Sequence, residues 1–175
     1  LNASKSTAHT LFTTGPLAAE LYVAKAMGCD PTALADLRRR RGRHLLRLRP
    51  HMCLLTLFGV AERAGHDADP LVGVRLALVQ EWLRLWWSDG VLRVWVRRAW
   101  PHALASVRAL PSNRRWRNST GSLTAIIITL LEQGWDPSTA DLWVSSADPP
   151  VPWSLVEEHR PSVISLDPIL AAFKA

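Results

Sequence analysis

Aspartate–proline pairs punctuate this chain and set the scale of what it can fold into. Asp30-Pro31, Asp69-Pro70, Asp136-Pro137 and Asp167-Pro168 each read as a helix start. A capping aspartate accepts from the first unpaired N–H groups, and proline in the first turn has no N–H to leave unpaired. A further pair, in Asp148-Pro149-Pro150, lies between the β-prone runs Trp143-Val144 and Trp153-Ser154-Leu155, and reads as the connection of a small hairpin. Gly28, Pro50, Gly65 and Gly134 supply stops. Such punctuation favours short helices over an extended sheet.

The apolar spacing between the marks agrees. Pro16 to Met27 places Leu17, Leu21 and Ala24 on one face. From Asp30 to Pro50, Leu34, Leu37, Leu45 and Leu48 keep near-helical spacing, with Arg41 in the gap. His51 to Ala64 turns Met52, Leu55 and Phe58 inward. Pro70 to Ser88 carries the clearest stripe: Leu71, Val74, Leu78, Val79, Trp82 and Trp86. Asp89-Gly90 turns the chain, and Val91 to Leu110 is helical again with Pro101 as a kink or a restart. Pro111 to Asn118 is a basic connector. Asn118, Ser119 and Thr120 offer cap oxygens for an apolar helix over Leu123 to Leu131, with Gly134 as its left-handed stop and Trp135 as the apolar residue beyond.

The expected fold is mostly α: a helical bundle of about six helices with a small C-terminal β-hairpin module, strands confined to roughly 140–156. Leu78, Trp82, Trp86, Leu123, Ile127, Leu130 and Trp135 are the expected core. A chain of 175 residues, 48% apolar, suits one domain, or one plus an appendage. Residues 1–117 form a basic helical region, and residues 118–175 add a helix, the Trp-bearing hairpin and a terminal helix. Since the first residue is Leu, the chain is expected to be a piece of a longer one. No apolar run is long enough to span a membrane. Cys29 and Cys53 show no pairing pattern and are expected to be reduced, buried thiols of an intracellular protein.

Charge is unevenly placed. Residues 1–117 hold 19 Lys and Arg against 8 Asp and Glu, a balance of +11, whereas residues 118–175 hold 2 against 7, a balance of −5. Seven Arg fall between positions 38 and 49, with Asp36 the only acid between Asp30 and Glu62. A phosphate-facing helix is one reading; a solvated face, or Arg paired with acids elsewhere, is the other. The candidate nucleic-acid contacts are Arg38, Arg39, Arg43 and Arg47, with 39, 43 and 47 four residues apart on one face, joined by Arg114, Arg115 and Arg117. Arg41 is the member of the cluster expected to be buried. Trp82 and Trp86 belong to a core stripe, Trp87 lies off it and is the better surface candidate, and Trp116 sits between Arg115 and Arg117 as either a stacking platform or an anchor.

His66, Asp67 and Asp69 form the only tight group of metal-ligand types, and capping by Asp69 explains that group better than a metal does. Glu157, Glu158 and His159 are read as solvent-facing. There is no phosphate-cradling glycine loop. No nucleophile can be nominated, and neither a metal nor a cofactor is expected.

The same residues carry a family resemblance, in order. They are Leu11-Phe12-Thr13-Thr14-Gly15-Pro16-Leu17, Ala19-Glu20-Leu21-Tyr22, Leu37-Arg38-Arg39, Trp82 with Trp86-Trp87, and Arg115-Trp116. Then come Gly121-Ser122-Leu123-Thr124-Ala125, Leu130-Leu131, Gly134-Trp135-Asp136-Pro137, Trp143 and Trp153. The chain resembles the region just downstream of the polymerase core in non-LTR retrotransposon reverse transcriptases of the dinoflagellate type. Val23 stands where that family usually has Gly. The resemblance implies a thumb or connection region that grips an RNA/DNA primer–template duplex as part of a polyprotein in the nucleus. It also implies no catalysis here, because the polymerase aspartates and the ribonuclease H carboxylates are not among these residues. Two other readings stay open: a protein–protein interaction module, and a degenerate remnant of a retroelement.

Overall fold

The computed structural model describes residues 27–45, 53, 58, 69–146, 149, 150 and 152–155, and of the three predicted Asp-Pro starts among them two open helices. Asp30 Oδ1 accepts the Thr32 N–H at 2.7 Å at the start of α1 (Pro31–Leu45), and Asp69 Oδ1 accepts the Leu71 N–H at 2.9 Å at the start of α2 (Pro70–Ser88). Asp89 does the same for α3 (Gly90–Arg108), taking the N–H groups of Val91 and Leu92 at 2.8 and 3.1 Å. A single residue therefore separates α2 from α3. Pro101 lies inside α3, which runs on without a restart. Two 3-10 turns, Ser112–Arg114 and Trp116–Asn118, form the basic connector to α4 (Ser122–Glu132).

α4 is the centre of the fold. Ala125, Ile126, Ile127, Ile128, Thr129 and Leu130 are consecutive and all buried, so this helix is covered on every side rather than along one stripe. α2 and α3 flank it and the sheet closes it off. Its cap differs from expectation. None of Asn118, Ser119 and Thr120 caps it; the cap position is Gly121, which has no side chain to offer. Thr124 works in the opposite direction, its hydroxyl accepting the Thr120 N–H at 3.1 Å and donating to the Gly121 carbonyl at 2.9 Å.

At the other end Gly134 takes φ +73, the left-handed stop expected of it; a Cβ there would lie 2.6 Å from Ser146 Oγ. Trp135 then enters a strand directly. β1 (Trp135–Asp136), β2 (Leu142–Ser145) and β3 (Pro152–Ser154) form an antiparallel sheet in that order, with Trp143 opposite Trp153 and Asp136 opposite Val144. The antiparallel pairing of β2 with β3 is as expected. β1 lies outside the predicted 140–156 range, and Asp136-Pro137 is not a helix start. Asp136 is held in the ladder and its carboxylate goes to Arg108, while the Pro137 carbonyl accepts the Trp100 indole N–H at 2.8 Å.

The protein is thus mostly helical with a small three-stranded sheet. Four α-helices lie among the described residues. The predicted helices over 16–27 and from Asp167 fall outside them, apart from Met27, as does most of the one over 51–64, of which Phe58 is helical and buried. Leu78, Trp82, Trp86, Ile127, Leu130 and Trp135 are buried as expected, and Leu123 packs on the core half-buried. One cluster runs from Leu78 on α2 through α3 and α4 to Leu155, and so includes residues from both sides of the 117/118 boundary. α1 meets α2 over a separate, smaller cluster of Leu34, Leu37 and Val74. Both cysteines are thiols, but Cys29 is half-buried and Cys53 exposed, so the expected burial holds for neither.

Candidate nucleic-acid interface

Helical spacing sorts the α1 arginines by direction. Leu34, Leu37 and residue 41 share the inward stripe, so Arg41 is 7% exposed, the one member of the cluster expected inside. Arg38 also turns inward, against expectation. Its guanidinium donates to Asp69 at 2.7 Å and lies 5.6 Å from the centre of the Phe58 ring, so it joins α1 to the cap of α2. Asp69 therefore serves both the helix start and this pair, and among the described residues no group of three or more metal-ligand side chains forms. His66, Asp67, Glu157, Glu158 and His159 lie outside the described residues.

Arg39 is exposed and paired with Asp36 at 2.9 Å, Arg43 is exposed, and Arg47 lies outside the described residues. In the connector, Arg114 and Arg117 are exposed, and half-buried Arg115 donates through Nε to the Leu110 carbonyl at 3.3 Å. Trp116 between them is an anchor, not a platform. Its ring lies so close to Gly28 that a Cβ there would be 2.4 Å away, and Gly28 takes φ +72. Its indole N–H donates to Glu132 at 2.7 Å. The other oxygen of Glu132 accepts from Arg75 of α2, also at 2.7 Å. Burial pushes the Arg75 guanidinium below its ordinary pKa, and the attraction of Glu132 only partly offsets this.

The charge asymmetry of the sequence has a partly internal meaning. All three described acids beyond residue 118, Glu132, Asp136 and Asp141, pair with arginines of the basic region, Arg75, Arg108 and Arg97. Arg97 also lies 5.5 Å from the Trp86 ring centre. Two indoles reinforce the seam: Trp100 donates to the Pro137 carbonyl, and Trp86 to the Leu155 carbonyl at 3.2 Å. What remains is a set of four exposed arginines, Arg43, Arg98, Arg114 and Arg117, with no carboxylate partner among the described residues.

Among the described residues the exposed aromatic is Trp95, not Trp87. Trp87 packs half-buried against the core, whereas Trp95 is 62% exposed, with Val91 and Val94 also exposed beside it. The signal was available: five residues from buried Trp100, Trp95 falls about 140° away around the helix. The Arg98 guanidinium lies over the Trp95 ring, 5.6 Å from its centre. Past Ala99 and His102 the α3 surface opens into a groove of about 710 Å³, which continues along Ser106 and Arg115 to Thr124 at the start of α4.

No known protein family matches the chain, and no curated protein or solved structure matches it. Among the described residues no helix is long and apolar enough to cross a membrane.

Proposed function

We propose that this chain is a non-catalytic segment of a retroelement reverse transcriptase that contacts the backbone of an RNA or DNA duplex through Arg-bearing helices. The observation that carries the reading is the outer side of α1. Arg39, Arg40 and Arg43 stand exposed there on a helix whose one carboxylate, Asp36, already has a partner. That partner, Arg39, is held in a solvent-exposed pair worth about 0.2–1 kcal/mol, so a phosphate can displace Asp36 at little cost. A surface that slides along any duplex needs guanidiniums at phosphate spacing and no base-reading geometry. The order of the short motifs supports the same parentage, and with it a nuclear location and assembly with the rest of a polyprotein.

The pairing of Arg75, Arg97 and Arg108 with the acidic end favours a second reading, in which arginine faces serve protein assembly. A salt titration of duplex binding separates the two. Replacing Arg39, Arg43 and Arg47 together with Gln is expected to weaken binding alike for all sequences and to flatten the salt dependence by about two to three units of slope, at ~0.9 per lost phosphate contact. An unchanged slope removes α1 from the interface, and absence of duplex binding at low salt leaves protein assembly as the function.

A further inference from the structure

We infer that the outer face of α3 is a stacking site for single-stranded nucleic acid, with Trp95 receiving a base and Arg98 the adjoining phosphate. The face runs along one side of the helix. Val91, Trp95, Arg98 and His102 are spaced four, three and four residues apart, all are exposed, and they point away from the buried Val96, Trp100, Leu104 and Val107.

The chemistry selects the occupant. None of the 19 residues of α3 is acidic, and none of the residues lining the groove that continues from Ala99 and His102 past Arg115 is acidic either. Among the described residues the path therefore sets no negative charge against an anionic chain, and Arg98 and Arg115 stand along it. A duplex hides its base faces in the stack and offers only edges and phosphates, so a flat indole on a convex helix has little to do there. An unstacked base has a face to offer, and indole stacking accepts any base. The Arg98 guanidinium lies over the Trp95 ring, so an incoming base takes that face from it and leaves the guanidinium for the adjoining phosphate. A protein partner fits less well. The large exposed apolar residues of α3 are Val91, Val94 and Trp95, bounded by Arg98 and His102, and they make a small patch for a protein interface.

This deepens the nucleic-acid reading and rests on it, but its test is separate. Fluorescence anisotropy of the full chain with labelled oligothymidylate and, in parallel, with a labelled duplex reads the two surfaces independently. Trp95→Ala is expected to weaken oligothymidylate binding on the order of ten-fold. Trp95→Phe, which keeps a stacking ring, should recover most of that loss. Arg98→Gln should lower the single-strand salt slope by about 0.7. Duplex binding should be unaltered in all three variants. Single-strand affinity unchanged in Trp95→Ala, with a native circular dichroism spectrum, overturns the stacking site whether or not duplex binding survives. Loss of duplex binding in the Arg39, Arg43, Arg47 variant with single-strand binding intact supports two separate surfaces. If sedimentation shows a self-associated wild type that Trp95→Ala returns to monomer, and single-strand binding is unaltered, the face is a protein contact and the inference fails.

Discussion

α1 and α3 are both arginine helices, and they use their guanidiniums in opposite ways. α1 carries five arginines in 15 residues and α3 four in 19. α1 rests on a three-residue cluster, and to make that contact it draws Arg38 and Arg41 inward. α3 rests on the main core through Val96, Trp100, Leu104 and Val107, so its arginines stay on its flanks. There Arg97 and Arg108 clasp the acidic β-module, while on the outer face Arg98 stands on an exposed indole. Density of charge along a sequence is thus a poor measure of charge offered to solvent. The denser helix loses some of its charge to packing, while the sparser one keeps a face free because four apolar residues anchor it.

The largest test of this contrast lies within α3 itself. Trp100→Ala should cost ~3–5 kcal/mol, from lost burial beside Trp82 and from the Pro137 carbonyl left without its donor. Trp95→Ala, five residues away, should stay within about 0.5 kcal/mol. Urea denaturation of the two variants checks both values. Equal costs would mean that Trp95 belongs to the core and that α3 has no free face.

Much of this is legible from the residues, and two of the failures share a cause. The α2 stripe, the Gly134 stop, the Trp143–Trp153 hairpin and the inward Arg41 follow from periods of 3.6 and 2 and from local cap chemistry, all of which act within a few residues. The inward turn of Arg38 depends on Asp69, 31 positions away, and the use of Asp136 as a strand residue depends on Arg108, 28 positions away. No spacing rule reports such partners. The same distance explains why the charge split leaves a polyanion-facing surface and pairing with distant acids both open, although part of it closes the molecule on itself. Trp95 is a different case, since its direction could have been read from its angle to Trp100.

The next test concerns the knot that holds the connector to the core. Glu132→Gln keeps an oxygen for the Trp116 indole but removes the nearest counter-charge of Arg75. Burial already disfavours the charged form of that guanidinium and holds its pKa below the ordinary value. The expected loss is about 1.5–3 kcal/mol, the range for a hydrogen bond to a charged group. Pairing the change with Arg75→Met should recover most of it, because an unpaired buried charge costs more than an apolar replacement of the pair. Chemical denaturation of the single and double variants gives the coupling. A double variant no better than the single would show that Trp116, rather than the ion pair, carries the strain.

The smallest expected effect on stability is the most informative for α3. Asp136 and Asp141 hold Arg108 and Arg97 in half-exposed pairs, of a kind worth about 0.2–1 kcal/mol each and weakened by salt. Asp136→Asn with Asp141→Asn should therefore leave the melting transition nearly in place. The double change also removes two negative charges beside α3 and releases two arginines toward solvent. If α3 faces nucleic acid, polyanion affinity should rise, and its salt slope should steepen by up to about 1.4 for a single strand, ~0.7 per arginine gained. If α1 alone faces nucleic acid, the same variant should bind as before. Whether the slope moves decides whether α3 takes part in binding beside α1, with the fold held constant.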